Sequence, residues 1–366
     1  MPDLWNNLLG TDKRTSAHLT MRQFDKQGRP FLLLPTRKTA AAVTIDLYPA
    51  QTRRARAAKS LLRLFARTGL PLRTERVDLS IAPDNGFTKF LSSQAGATAE
   101  IPQFGILAGN PAHDTQRFII LLFDQNQRPV TIVKAGISEP AKALIEKERS
   151  FLSNVSPNTV GIPKLRACFA DHRIKAFAMD FFEGESPQSD DLQQLPGVLS
   201  SWISGGTQIP LHETAAWQQL EKTSAPFQLP QTFLAQFRDR KIGPTIQHGD
   251  YAPWNIKTTP NGQWTVLDWE RGDLNGIPGW DWFHYIIQAA ILVGRKDGNN
   301  LVQSIETLLA SAAFKTYSQK SGIEGIEREM VLAYLAHLIE VIKPAEGIVA
   351  NLALLRTLSQ RWVKGS

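Results

Sequence analysis

Two short stretches constrain this chain more than any others: His248-Gly249-Asp250-Tyr251-Ala252-Pro253-Trp254-Asn255 and, a little later, Val266-Leu267-Asp268-Trp269-Glu270. Between them Pro260-Asn261-Gly262 is a turn signal. The flanking residues should therefore pair as a hairpin that brings Asn255 and Asp268 together. Such a set suits transfer of a phosphoryl group, whose barrier falls mainly through positioning and through neutralising charge on the phosphate oxygens. Asp250, in a turn between a predicted helix at 231–240 and the strand after it, can accept or orient the proton of a hydroxyl. Asn255 offers an amide oxygen. Asp268, at the end of an apolar strand predicted at 264–267, offers the hard carboxylate oxygen that magnesium takes. Taken singly, each has a plainer reading, an Asx turn for Asp250 and Asn255 and a strand cap for Asp268. It is the three at this spacing that point to chemistry.

His-Gly-Asp, four intervening residues and Asn, followed by a strand ending in Asp-Trp, resembles the pattern of the aminoglycoside phosphotransferase and choline kinase superfamily. The resemblance implies an α+β, two-lobed protein-kinase-like fold, with a small β-rich N-lobe and a larger helical C-lobe. It implies Asp250 as catalytic base, Asn255 and Asp268 as magnesium ligands, and His248 as a brace for the loop. Asp281, in Gly279-Trp280-Asp281-Trp282, corresponds to an aspartate that braces that loop in related proteins, although the usual Gly-Asp-Pro before it is here Gly276-Ile277-Pro278. ATP, with GTP left open, and Mg2+ follow as implied cofactors, and a hydroxyl of a small molecule (a sugar, amino alcohol or aminoglycoside) as acceptor.

A kinase-like reading asks for a strand lysine and a helix glutamate upstream. RFIILLF at 117–123 reads as a strand, 124–128 as a turn, and 131–134 as a second strand ending in Lys134. Glu139-Pro140 opens a helix that continues over 141–152, proline being suited to a first helical turn. Lys134 is placed to pair phosphates, and Glu148, with Glu146 in reserve, to pair Lys134. No G-x-G-x-x-G or Walker A pattern occurs; the phosphate-covering loop would be 109–115. Strands at 163–169 and 174–179 lead to Asp180-Phe181-Phe182-Glu183-Gly184, which resembles the interlobe hinge, with backbone groups of Asp180 and Phe182 as adenine contacts. The alternative there is an edge strand and turn.

Charge divides the chain. Residues 1–90 hold 16 Lys and Arg against 7 Asp and Glu, whereas the whole chain is +7. The organisation expected is a basic N-terminal α/β accessory module at 1–95, the N-lobe at 96–182 and the C-lobe with catalytic and acceptor sites at 183–366. Within the module, 30–34 and 42–47 look like strands and 52–67 like a helix. On that helix Arg56, Lys59, Arg63 and Arg67 share one face, and Ala58, Leu61, Leu62 and Phe65 lie largely on another. An anionic surface or a protein partner could meet the basic face, which is otherwise simply solvated. Nucleic acid is disfavoured, since no aromatic run interleaves the basic residues and no helix-turn-helix or zinc-finger pattern occurs.

No apolar run spans a bilayer, and the first residues lack a signal peptide's basic start and apolar centre. One cysteine, Cys168, suits a reducing cytoplasm and reads as a small buried apolar residue. For the acceptor, Trp254, Trp269, Trp280 and Trp282 are candidates for an aromatic wall, with core filling the safer reading of the last two. The acids Asp190, Asp191, Glu213, Glu221 and Asp273 are scattered, which leans the acceptor toward a neutral or glycan-linked hydroxyl. A catalytically silent nucleotide-binding or scaffold protein is the competing reading, supported by the unusual phosphate loop.

Overall fold

The apolar runs at 117–123 and 131–134 become neighbours in the middle of an eight-stranded antiparallel sheet. The computed structural model describes residues 3–10, 17–26, 28–48, 53–69, 74–96, 100–109, 114–187, 193–223, 231–259, 261–294, 298–344 and 347–363. The chain divides into two units, Met1–Asn154 with Pro163–Phe182, and Val155–Ile162 with Glu183–Ser366.

In the first unit the strands are β1 (Ala17–Lys26), β2 (Arg29–Leu34), β3 (Glu75–Ile81), β4 (Gln103–Ala108), β5 (Arg117–Phe123), β6 (Pro129–Gly136), β7 (Leu165–Ala170) and β8 (Lys175–Asp180). They lie in the order β3-β1-β2-β4-β5-β6-β8-β7, so three strands from residues 1–95 and five from residues 96–182 share one sheet. Helices α1 (Asp3–Leu9), α2 (Lys38–Ile45), α3 (Arg53–Thr68), α4 (Gly86–Ala95) and α5 (Glu139–Asn154) accompany them. Strand residues alternate between faces. Phe104, Ile106, Phe118, Ile120, Leu122, Val133 and Ala135 therefore pack with Trp5, Leu8, Phe87 and Leu91 of α1 and α4. On the other face Leu32, Leu34, Leu107 and Ile119 meet Ala41, Ala42 and Ile45 of α2. Lys134 stands opposite Ile119 in the β5–β6 register and so shares that second face.

Residues 42–47, predicted as a strand, belong mainly to α2. The alanines Ala40, Ala41 and Ala42 favour a helix, and Gly105 of β4 leaves room for Thr44, which a Cβ would meet at 2.1 Å; packing overrides the β-branched Val43-Thr44-Ile45. The basic residues of α3 do not share one solvated face. Lys59 donates to the carbonyls of Asp46 and Tyr48, and Arg63 lies 3.3 Å from the Asp46 carboxylate, drawn by the carbonyl end of α2. Leu61, expected on the sheltered side, is exposed together with Leu64. Cys168 is exposed, because β7 is an edge strand that turns Ala167 and Phe169 to the core and Cys168 away.

The second unit is mostly helical. Its helices are α6 (Leu195–Ser201), α7 (Ala215–Lys222), α8 (Gln231–Phe237), α9 (Trp280–Gln288), α10 (Gly298–Ala310), α11 (Ala312–Ser321), α12 (Glu327–His337) and α13 (Ile348–Trp362). Short antiparallel pairs join β9 (Ile209–Pro210) to β10 (Lys241–Ile242), β11 (Thr245–Gln247) to β14 (Asp273–Gly276), and β12 (Ile256–Thr258) to β13 (Trp264–Val266). Among the described residues no helix is long and apolar enough to cross a membrane.

Candidate active site

In the first unit, Gly136 at the end of β6 lets α5 approach closely, since a Cβ there would lie 2.7 Å from the Ala141 backbone. That approach aligns α5 along β6. Lys134 Nζ then donates to both carboxylate oxygens of Glu148, at 2.7 and 2.9 Å, with both side chains buried. Glu146, two positions earlier and so on the opposite side of the helix, instead pairs Arg149 and Lys175 and is half-exposed. Of the two glutamates, Glu148 is the one beside the lysine. A buried ion pair costs desolvation that its own attraction barely offsets, so its presence calls for a reason other than stability. Asp180 closes β8 opposite Thr131 and accepts from Arg166 at 3.1 Å; Phe181 N–H donates to Val130, and Phe182 is half-buried. Of the expected phosphate-covering loop, residues 110–113 lie outside the described residues, as do Asp190 and Asp191 of the candidate acids.

In the second unit, two short strands, β10 and β11, intervene between α8 and the loop, so Asp250 follows a strand rather than the predicted helix. Gly249 turns the loop with φ +77°, and a Cβ there would meet Arg271 Cβ at 2.9 Å. That position needs glycine. Asp281, in the first turn of α9, accepts from the backbone N–H of His248 at 2.6 Å and of Gly249 at 3.0 Å. Burial pushes the Asp281 carboxyl up, against the opposing pull of His248 and the two amides. His248 is buried against Trp269. Its Nδ1 accepts the Asp250 N–H, and its Nε2, 2.8 Å from the Leu267 carbonyl, donates there. His248 thus ties the loop to the strand that delivers Asp268.

The β12–β13 hairpin pairs Ile256 with Val266, and Leu267 N–H donates to the Asn255 carbonyl at 2.7 Å. Asn255 and Asp268 are thereby brought to neighbouring positions. Asp268 has φ +73°, a conformation that aspartate tolerates better than most residues and that sets its side chain off the strand direction. Asn255 Nδ2 donates to the Asp250 carbonyl at 2.8 Å and to Oδ2 at 3.0 Å, which turns the amide oxygen away from Asp250. Asp250 Oδ1 lies 3.1 Å from His284 Nε2. Burial pushes the Asp250 carboxyl up, but the hydrogen bond from His284, with the positive charge of Arg271, outweighs it and holds the group below its ordinary value.

His284 and its partner Tyr334 were not singled out from the sequence. One signal was available: Asp281 and His284 stand a turn apart, both polar, in the otherwise aromatic run Trp280-Asp281-Trp282-Phe283-His284-Tyr285. Of the four tryptophans considered for an acceptor wall, Trp269, Trp280 and Trp282 are buried in the core, and Trp254 is half-exposed.

No family model matches the chain, and no curated protein matches it. Among solved structures it is similar to a candidate aminoglycoside phosphotransferase from Ralstonia eutropha JMP134, with 14% identity over 76% of this chain and 96% of that one and a TM-score of 0.48. It is similar to the aminoglycoside phosphotransferase APH(3'')-Id from Streptomyces rimosus, with 16% identity over 69% and 97% and a TM-score of 0.43, a protein also solved with ADP and streptomycin. It is similar to a candidate fructosamine-3-kinase from Haemophilus somnus 129PT, with 13% identity over 74% and 96% and a TM-score of 0.45.

Proposed function

We propose that the chain is an ATP-dependent phosphotransferase that moves the γ-phosphate to a hydroxyl of a small molecule. The observation that carries this reading is the state of Asp250. Its carboxylate is ionised, held by one side chain at each oxygen, and mounted on a loop whose amides are gripped by Asp281. A carboxylate fixed in this way is suited to take or orient the proton of an attacking hydroxyl, the main task phosphoryl transfer leaves to a side chain. Asn255 and Asp268 fit magnesium, because they supply two hard oxygen donors on neighbouring backbone positions. No group of three or more His, Cys, Asp or Glu gathers as a metal site among the described residues, and magnesium commonly takes one or two protein ligands and completes its shell with water and phosphate oxygens. When bound, it would neutralise charge on those oxygens.

In the same reading Lys134 positions phosphates, Glu148 holds Lys134 extended, and the backbone at Asp180 and Phe182 contacts the adenine. The expected boundaries 1–95, 96–182 and 183–366 remain the working division of labour, with nucleotide contacts in the second segment and catalysis and acceptor binding in the third. The test is calorimetric titration with Mg·ATP, followed by ADP release against a panel of sugars, amino alcohols and aminoglycosides. Saturable Mg·ATP binding with acceptor-dependent ADP release is the expected result. Absence of Mg·ATP binding would sink the proposal, and binding without release across the panel would favour a silent scaffold.

A further inference from the structure

Asp250 is approached from behind by a chain of buried polar groups. His284 sits on α9, one helical turn after Asp281, with its side chain 6% exposed. Its Nε2 lies 3.1 Å from Asp250 Oδ1, and its Nδ1 lies 3.0 Å from the hydroxyl of Tyr334 on α12. Tyr334 is itself buried, and burial pushes its phenol well above the ordinary range while a hydrogen bond from Gln288 pulls the other way. The hydroxyl therefore keeps its proton and has one lone-pair side engaged by Gln288. Gln288 Nε2 in turn donates to Asn351 Oδ1 on α13 at 3.1 Å.

The direction of the chain follows from this inventory. A tyrosine that must stay protonated donates its O–H to an acceptor, and the unprotonated nitrogen of a neutral imidazole is such an acceptor. With Nδ1 accepting, the ring's single proton is on Nε2, directed at Asp250. We propose that His284, held in its Nε2–H tautomer by Tyr334, is the positioning residue for the Asp250 carboxylate. This inference rests on the phosphotransferase reading for its consequence in catalysis, though not for the geometry itself.

Its function is orientation. Asp250 Oδ1 accepts from His284 and Oδ2 from Asn255, so the carboxylate plane is fixed at both ends. An ionised carboxylate has about four lone-pair sites, so these two bonds leave sites directed at an incoming hydroxyl. Because α9 also supplies Asp281, the same helix sets both the loop backbone and the side chain that the loop carries. Without His284 the carboxylate would turn about Cβ–Cγ, and misplacement by about 1 Å is enough to lower rate by roughly a hundredfold.

The experiment measures ADP release from Mg·ATP with whichever panel hydroxyl is accepted, or with water. His284→Ala should lower kcat about 10–100-fold, with KM for ATP within about threefold of wild type. His284→Gln, which restores an N–H donor, should recover part of that loss. Tyr334→Phe should lower kcat less, and should add nothing in the His284→Ala background. A folded His284→Ala protein with unchanged kcat would overturn the proposal, as would a loss that appears equally in ATP affinity and that glutamine does not relieve.

A second readout does not depend on turnover. In the 15N-histidine spectrum of the full chain, His284 should show a protonated Nε2 and a bare Nδ1 at neutral pH, with the pattern disturbed by Tyr334→Phe. A bare Nε2, or both nitrogens protonated, would overturn it even where an alanine variant fails to fold. If wild type releases no ADP with any acceptor, the phosphotransferase reading fails, and the spectrum still decides the His284 assignment.

Discussion

Lys134→Met separates what the buried ion pair does for stability from what it does for function. Nζ lies 2.7 and 2.9 Å from the two carboxylate oxygens of Glu148, and the side chains are 7% and 1% exposed. At that burial water cannot take over the charge left behind. Removing one member of such a pair costs about 3–5 kcal/mol. For a unit of some 150–250 residues, at roughly 2–4 °C per kcal/mol, the melting temperature should fall by about 6–20 °C. Glu148→Gln should behave alike.

The double variant Lys134→Met/Glu148→Leu removes both charges and keeps the volume. It should regain most of the loss, since apolar replacement of a buried pair is neutral or stabilising by about 1–4 kcal/mol. Affinity for Mg·ATP should follow the lysine instead, falling in Lys134→Met and staying low in the double variant. Guanidinium melts followed by circular dichroism give the stabilities, and calorimetric titration gives the affinities. Single variants that lose less than about 1 kcal/mol would show the pair to be solvated in the manner of surface salt bridges. A double variant that regains nucleotide binding together with stability would refute the role given to Lys134.

Asp250→Asn should keep the fold and the affinity for Mg·ATP while slowing ADP release by about 10²–10⁴-fold; turnover near wild type would remove Asp250 from the mechanism. Asp281→Ala leaves the amides of His248 and Gly249 without their acceptor, at about 1–3 kcal/mol for each buried group. An unchanged denaturant midpoint would mean that water reaches them. Gly249→Ala, at φ +77° with a Cβ 2.9 Å from Arg271 Cβ, should cost at least about 1–2 kcal/mol from the left-handed backbone alone, read by the same melts. Burial depresses the His337 imidazole from 6.5 to about 4. The folded chain therefore binds fewer protons there than the unfolded chain between those values, so stability is full above about pH 6.5 and falls as pH drops toward 4. The loss from this group is about 3 kcal/mol at 1.36 kcal/mol per unit, and His337→Gln should flatten the stability curve across that window; an unaltered curve would exclude His337 as its source.

What could be read from the chain beforehand depended on how local the cause was. The run at 117–123 is a strand because its apolar content and the following turn are written in adjacent residues, and β5 has those bounds. The turn at 260–262 pairs β12 with β13 for the same reason. At 42–47 the local signal misled, since Val43-Thr44-Ile45 favours a strand and the preference for a helix comes from the alanines before it and from the groove over Gly105. Cys168 was misplaced because burial depends on β7 being an edge, a property of strand order that no single strand records.

The contacts of Asp250 follow the same rule. Asn255 reaches it from five residues away, within the reach of a motif, whereas His284 reaches it across 34 residues and Tyr334 reaches His284 across a further 50. A spacing pattern can specify a loop, but not the helix that the loop packs against. What the chain does encode locally is the pairing on that helix: Asp281 and His284 are three positions apart, about one turn, so a helix that binds the loop amides through one must present the other on the same side. The orientation of the carboxylate is therefore coupled to the anchoring of the loop through a single rigid element, and a substitution that rotates α9 should disturb both together.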